Sequence, residues 1–270
     1  MGTSRSRGTT QSSIELTNNV LEESPAAARS ERAAENCFAR PVAKRFFGRR
    51  KGRVLSEYRS SLLARRLDEV RVDLSVDAPE AGSLLSLFPA EVIEVWLEIG
   101  FGRGEHLIWQ AEHNPATGII GAEPFVNGVA ATLAEAERRD LSSRVRCHPE
   151  DVTTLLAWLP SASLSRAFML FPDPWPKNRH RDRRLLSTHL LDALSGRLAD
   201  NAEFRFASDI QEYARFAIEL AQAHPDFALE AVFTSAERDR RQDWPQTRYE
   251  AKALKEGRSS TFLKLKRRRR

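Results

Sequence analysis

The chain has 270 residues, with 42 Lys and Arg against 37 Asp and Glu, a formal charge of +5 and a pI near 9.5. That length suits one α/β domain of roughly 200 residues with appendages. Its two cysteines, Cys37 and Cys147, lie far apart without CxxC spacing, which excludes a disulfide framework and offers no zinc-site or other metal pattern. No stretch approaches the ~20 apolar residues that span a bilayer, and the N-terminus holds no signal-peptide core, so a soluble, cytoplasmic protein without membrane association is expected.

Residues 1–38 are rich in Ser, Thr, Ala, Asn and charge, with few large apolar side chains to offset the entropy of ordering, and are expected to be a disordered extension. Glu15, Glu22, Glu23, Glu31 and Glu35 make them more acidic than an organelle transit peptide. Between Arg40 and Arg66 stand ten Lys or Arg and a single acid, Glu57. Positive charge concentrated in one segment attracts a polyanion, so residues 39–90 are read as a basic N-terminal region.

From residue 91 to 266 the pattern changes to short β-rich runs alternating with amphipathic stretches, the signature of a parallel sheet wound with helices and of one catalytic domain. Seven strands are expected, at Val92–Ile99, Gly118–Glu123, Val145–His148, Leu164–Phe171, Glu203–Ser208, Phe227–Phe233 and Thr261–Lys266. Apolar residues recurring every three to four positions predict helices over Val126–Arg138, Arg183–Leu198 and Ile210–Ala223. Residues 267–270 close the chain as a solvated basic tail.

The first strand runs into Gly100-Phe101-Gly102-Arg103-Gly104. Glycines there let the backbone turn sharply and approach a ligand, and the helix beyond offers free N–H groups. The G-x-G-x-G spacing differs from the G-x-G-x-x-G of pyrophosphate-binding folds and points away from a dinucleotide. Glu98, two residues before Gly100, is placed to meet a cationic or amino-bearing ligand, and S-adenosylmethionine carries both an amino group and a sulfonium. Glu123 closes the second strand, where an acid accepts hydrogen bonds from ribose hydroxyls in nucleotide folds. Glu150 and Asp151 follow the third strand and flank the expected adenine position. The alternative is a plain glycine turn with solvent-facing acids, but three acids after three successive strands fit a site at the carboxyl end of a sheet better.

The fourth strand leads into Phe171-Pro172-Asp173-Pro174-Trp175-Pro176-Lys177 and then Asn178-Arg179-His180-Arg181-Asp182-Arg183-Arg184. The prolines fix φ and remove donors, so a stiff, non-helical loop is expected. A rigid carboxylate in such a loop suits a bound ring that gains positive charge during a methyl transfer. Asp173 could balance that charge, with Lys177 and the arginines gripping phosphate. Trp175 either stacks on a base or packs. The competing reading of the basic cluster is a solvated helix start.

These motifs resemble the bacterial tRNA (guanine-N7)-methyltransferases, class I S-adenosylmethionine enzymes. The resemblance rests on L-E-I-G-F-G-R-G-E-H-L at 97–107, G-A-E-P-F at 121–125, F-P-D-P-W-P-K-N-R-H at 171–180, S-D-I-Q-E-Y-A at 208–214 and T-R-Y-E at 247–250, and runs from about Phe46 to the C-terminus. It implies a seven-stranded Rossmann-like methyltransferase fold and methylation of a guanine in tRNA, guanine-46 of the variable loop. It also implies cofactor binding by Glu98, the loop Gly100, Gly102 and Gly104, Glu123, and Glu150 or Asp151. Asp173 becomes the catalytic or guanine-contacting residue, and Lys177, Asp209, Thr247, Arg248, Tyr249 and Glu250 bind substrate. The segment from Phe46 to Arg53 looks like the family's basic N-terminal region, so Arg49, Arg50, Lys51 and Arg53, with Arg179 and Arg181, are expected to touch tRNA. Rival readings are a methyltransferase for another RNA or a small molecule, and a non-catalytic RNA-binding protein of the same fold. A nicotinamide oxidoreductase is disfavoured by the glycine spacing.

Overall fold

The computed structural model describes residues 48–77, 80, 83–236 and 243–270. The extension 1–38, and the basic residues up to Phe47, lie outside them. Helix α1 spans Glu57–Val70, and strand β1 is Glu94–Ile99. The order then runs α2 (Glu105–His113), β2 (Thr117–Ala122), α3 (Val126–Arg138), β3 (Val145–His148), α4 (Val152–Trp158) and β4 (Leu164–Leu170). It ends with α5 (Thr188–Arg197), β5 (Leu198–Ser208), α6 (Gln211–Ala223), β6 (Phe227–Thr234), α7 (Arg248–Lys255) and β7 (Thr261–Arg267).

The strands form one sheet of order β3-β2-β1-β4-β5-β7-β6. All pairings from β3 to β5 are parallel, whereas β7 runs antiparallel to both β5 and β6. The expected seven-stranded sheet wound with helices is thus present, with antiparallel pairing at β7. In β7, Leu263 and Leu265 are buried and alternate with half-buried Lys264 and Lys266. Such one-sided alternation is characteristic of antiparallel strands. Lys264 uses its exposed side to meet Glu203 on β5 (3.2 Å) and Glu230 on β6 (3.4 Å).

Side-chain alternation along β1 feeds two apolar layers, one on each face of the sheet. Val95, Leu97 and Ile99 enter the layer with Leu155, Leu190 and Phe204, while Trp96 enters the other with Leu107, Val129 and Phe168. Helix α1 packs on the second layer through Leu62 and Val70. Its start is fixed by Ser56, whose Oγ accepts from the Arg59 amide.

Candidate active site

The order of strands reverses between β1 and β4: connections leave β1 toward β3 on one side and β4 toward β5 on the other. Ligands of open α/β sheets bind at such a switch point, above the carboxyl ends of the strands. A cavity of about 300 Å³ sits there, bordered by Gly100 after β1, Glu123 after β2, Asp151 after β3, and Phe171 and Asp173 after β4. Tyr249 of α7 and Arg49 of the basic segment complete its wall.

Gly100, Gly102 and Gly104 have φ of 72°, 58° and 77°, the left-handed region in which a side chain is strained. A Cβ on Gly100 would meet nothing within 4 Å, so this backbone faces open space. A Cβ on Gly128 of α3 would lie 2.0 Å from the Gly102 carbonyl oxygen, which shows how closely that helix backs the loop. Glu123 ties the loop to the second strand: its carboxylate accepts from the amides of Gly102 (2.7 Å) and Phe125 (2.9 Å). Burial pushes the Glu123 carboxyl up to about 6. The amide bonds pull it down, while nearby Asp173 and Glu98 add to the rise.

Of the acids expected near the cofactor, Glu123 and Asp151 line the cavity and Glu98 and Glu150 do not. Glu98 alternates with Ile99 and so shares the face of Trp96, under α2; its Oε2 lies 2.7 Å from Nδ1 of buried His106. His106 continues to Gln110 (3.1 Å), whose amide donates to the Asp243 carbonyl at 2.9 Å. Glu150 is half-exposed and pairs with Arg71 at 3.3 Å. Asp151 caps α4, accepting from the Thr153 amide (2.8 Å) and hydroxyl (2.6 Å).

The expected substrate residues divide in the same way. Asp173 and Tyr249 face the cavity, and the Tyr249 ring lies over Phe171 with centroids 6.2 Å apart. Arg248 sits beside it, within 3.5 Å of Glu105 and 3.1 Å of the Tyr249 hydroxyl. Thr247 and Glu250 are buried: the Thr247 Oγ1 accepts from the Glu250 amide, the cap that starts α7. Asp209 pairs with Arg258 at 2.6 Å, and Lys177 is exposed outside the cavity wall. Arg179 is exposed, Arg181 pairs with Glu212 (2.8 Å), and Arg50, Lys51 and Arg53 lie exposed along the strap behind Arg49.

The loop after β4 holds its shape against strain. Phe171 and Trp175 adopt φ of 53° and 39°, conformations that cost non-glycine residues free energy and persist only under external restraint. The Phe171 amide is held by the Ala207 carbonyl (2.8 Å), and the loop beside Trp175 by Arg184, one of the arginines expected to grip phosphate. Its side chain is 2% exposed, donates Nε–H to the Pro174 carbonyl (2.9 Å), and forks onto both carboxylate oxygens of Glu212 (3.0 and 2.9 Å). The guanidinium also covers the Tyr213 and Phe216 rings. Both carboxylate contacts come from Nη2 and their partner is on α6, so no local pattern marks it. A 3-10 turn at Asn178–Arg183 corrects the fully non-helical loop expected there; it begins where the prolines end. Trp175 is half-buried under the Arg183 guanidinium, 5.0 Å from its ring centre, and borders the cavity.

This sheet order, with the glycine turn and acids gathered at its switch point, defines the class I methyltransferase fold. Residues 93–263 match a family described as "putative methyltransferase". The tRNA (guanine-N(7)-)-methyltransferase of Mesorhizobium japonicum is 45% identical over 81% of this chain and 92% of its own length. That of Paramagnetospirillum magneticum is 44% identical over 87% and 98%. A solved phosphoethanolamine N-methyltransferase of Haemonchus contortus, in complex with S-adenosyl-L-methionine, is 14% identical with a TM-score of 0.45, covering 69% of this chain and 51% of that one. The chain belongs to the tRNA (guanine-N(7)-)-methyltransferase family. Among the described residues there is no cluster suited to a metal ion and no helix long and apolar enough to cross a membrane.

Proposed function

We propose that the protein transfers a methyl group from S-adenosyl-L-methionine to N7 of a guanine in tRNA, guanine-46 of the variable loop, in the cytoplasm. One observation carries this: Asp173 and Glu123 border a single cavity, on opposite sides of the strand-order reversal, with Arg49 and Arg183 at the same wall. The cavity's size falls in the range of small-ligand sites. Its open backbone at Gly100 and its buried carboxylate at Glu123 suit a ligand with a ribose and a flexible cationic chain.

In this reading Glu123 takes the ribose hydroxyls, the amides of the Gly100–Gly104 turn approach the amino-acid portion, and Asp151 with Val152 borders the adenine. Glu98 supports the turn from below through His106. The bound cofactor supplies an electrophilic methyl group on sulfur. The chain's own task is then alignment and charge balance, because N7 has no proton to remove. Asp173 holds the purine and offsets the positive charge it acquires. Phe171 and Tyr249 provide a flat apolar surface for the base, while Arg49 and Arg183 take phosphate. The test is incubation of the purified protein with methyl-labelled S-adenosylmethionine and unmodified tRNA, followed by nucleoside analysis. N7-methylguanosine is expected. Label in any other nucleoside, or tight tRNA binding without turnover, overturns the reading.

A further inference from the structure

The cavity is not isolated. Phe125, on its wall, is also part of a neighbouring groove formed with Arg53, Ser56, Arg59, Arg103 and Asn127. Arg59 and Arg103 in turn reach a third concavity, between the start of α2 and the flank of α3, with Glu105, Glu135 and Arg139. The three depressions thus form one track, sharing Phe125 at the first junction and Arg59 and Arg103 at the second.

The charges along the track are unequal in one respect. Glu135 is taken by Arg138 (2.7 Å) and Arg139 (3.4 Å), and Glu105 lies 3.5 Å from Arg248. Arg53, Arg59 and Arg103 have no acidic partner among the described residues, and Arg53 and Arg103 are exposed. Three cations are left uncompensated over a concave surface whose walls, Val54, Leu55 and Phe125, are apolar.

The strap that carries Arg49 and Arg53 is also fixed in place. The Val126 amide donates to the Arg50 carbonyl (2.9 Å), the Gly52 amide donates to Asn127 Oδ1 (2.7 Å), and Asn127 Nδ2 donates to the Arg53 carbonyl (2.7 Å). Its backbone is therefore stapled to the first turn of α3. Arg49 is held at the methyl-transfer cavity and Arg53 at the groove, on two sides of Phe125.

We infer that this groove is an RNA-backbone site, in which Arg59 and Arg103 bind phosphates of the same substrate chain whose base enters the cavity. The inference rests on the proposed tRNA substrate and extends the contact surface from the strap onto α1 and the glycine turn. Phosphate contacts fix register without reading sequence, and each cation engaged contributes about one to the slope of log affinity against log salt.

The test compares wild type, the Arg59→Ala/Arg103→Ala double variant and the Arg59→Lys/Arg103→Lys double variant. Three readouts are tRNA affinity across a salt series, KM and kcat for tRNA, and affinity for S-adenosylhomocysteine. The alanine pair should lower the salt slope by about two and raise KM roughly tenfold or more, while unchanged kcat at saturating tRNA and unchanged S-adenosylhomocysteine affinity are expected of Arg59→Ala alone. The lysine pair should restore most of both, because a point charge suffices for phosphate. Since Arg103 lies in the glycine turn, Arg59→Ala alone provides a variant remote from it, with a slope change of about one. If wild type methylates tRNA and these slopes and KM values match wild type, the groove is not an RNA site. If wild type does not methylate tRNA, the functional reading itself fails, and that outcome is told apart by the wild-type arm alone.

Discussion

The two halves of the cavity are built on different physical terms. The half formed after β1 and β2 is set by shape: three left-handed glycines, a helix backbone pressed against Gly102, and a carboxylate satisfied by two amides. The half formed after β4 is set by charge, through a strained loop held by one buried arginine and edged with cations. The first depends on left-handed backbone and on close packing at Gly104 and Gly128, while the second depends on keeping a few directed bonds. Substitutions should therefore separate the halves by what they damage.

Asp173→Ala should have the largest effect, a loss of turnover on the order of a thousandfold, since a charge positioned at the reacting ring is removed. Binding of S-adenosylhomocysteine should change little, and near-normal turnover would show that Asp173 does not act on the base. Next, Arg184→Met should cut kcat by roughly a hundredfold, because Pro174 and Glu212 lose their shared donor and the loop can relax. Arg184→Lys should recover little of it, as an ammonium cannot serve the carbonyl and both carboxylate oxygens in the same plane. Equal loss of cofactor-analogue binding in either variant would mean that the halves are not independent.

Gly128→Ala tests the shape-built half. Alanine favours a helix over glycine by about 1 kcal/mol, yet here its Cβ must displace the Gly102 carbonyl. Overpacking of that kind costs about 1–3 kcal/mol. A lowered thermal midpoint and weakened S-adenosylhomocysteine binding are expected; a stabilised variant with unchanged affinity would refute the close packing.

The smallest effect is a pH dependence assigned to Glu123. With its carboxyl raised to about 6, Glu123 in the free protein keeps its proton to higher pH than an ordinary carboxyl does. This contribution to stability is complete below the ordinary value of 4.5 and is lost as pH rises through about 6. Ribose hydroxyls donating to the carboxylate favour the opposite form, so binding should release a proton. Affinity for S-adenosylhomocysteine should fall, by up to about tenfold per unit, as pH drops below 6. Glu123→Gln should remove both trends, and calorimetry in buffers of different ionisation enthalpy would detect the proton.

The same division explains what was legible in the sequence. Glycine spacing and strand runs are local signals, so β3 and the helix at Val126–Arg138 fell where expected, and the other strands within a few residues except β5, which begins at Leu198. Helix α1 was hidden inside a stretch dominated by charge, although Ser56 and the spacing of Leu62, Leu63, Leu67 and Val70 mark it. Helix α7 was hidden inside a motif whose Thr247 and Glu250, expected to bind substrate, also form its N-terminal cap. Glu98 lies against His106 and off the cavity wall, because period-two alternation along β1 places it on the Trp96 face. The Arg184 to Glu212 bond joins residues 28 apart and leaves no local trace.

The first turn of α3 has a further consequence. Val126 and Asn127 fasten the basic strap, and Gly128, the next residue, abuts the carbonyl of the cofactor loop. A displacement of this single turn would be transmitted to both. Thermodynamic reciprocity then requires that whatever one ligand gains from the turn's position in the presence of the other, the second gains from the first by the same factor. One backbone amide, one side chain and one missing methyl group thus seat the strap and the cofactor loop on the same helical turn.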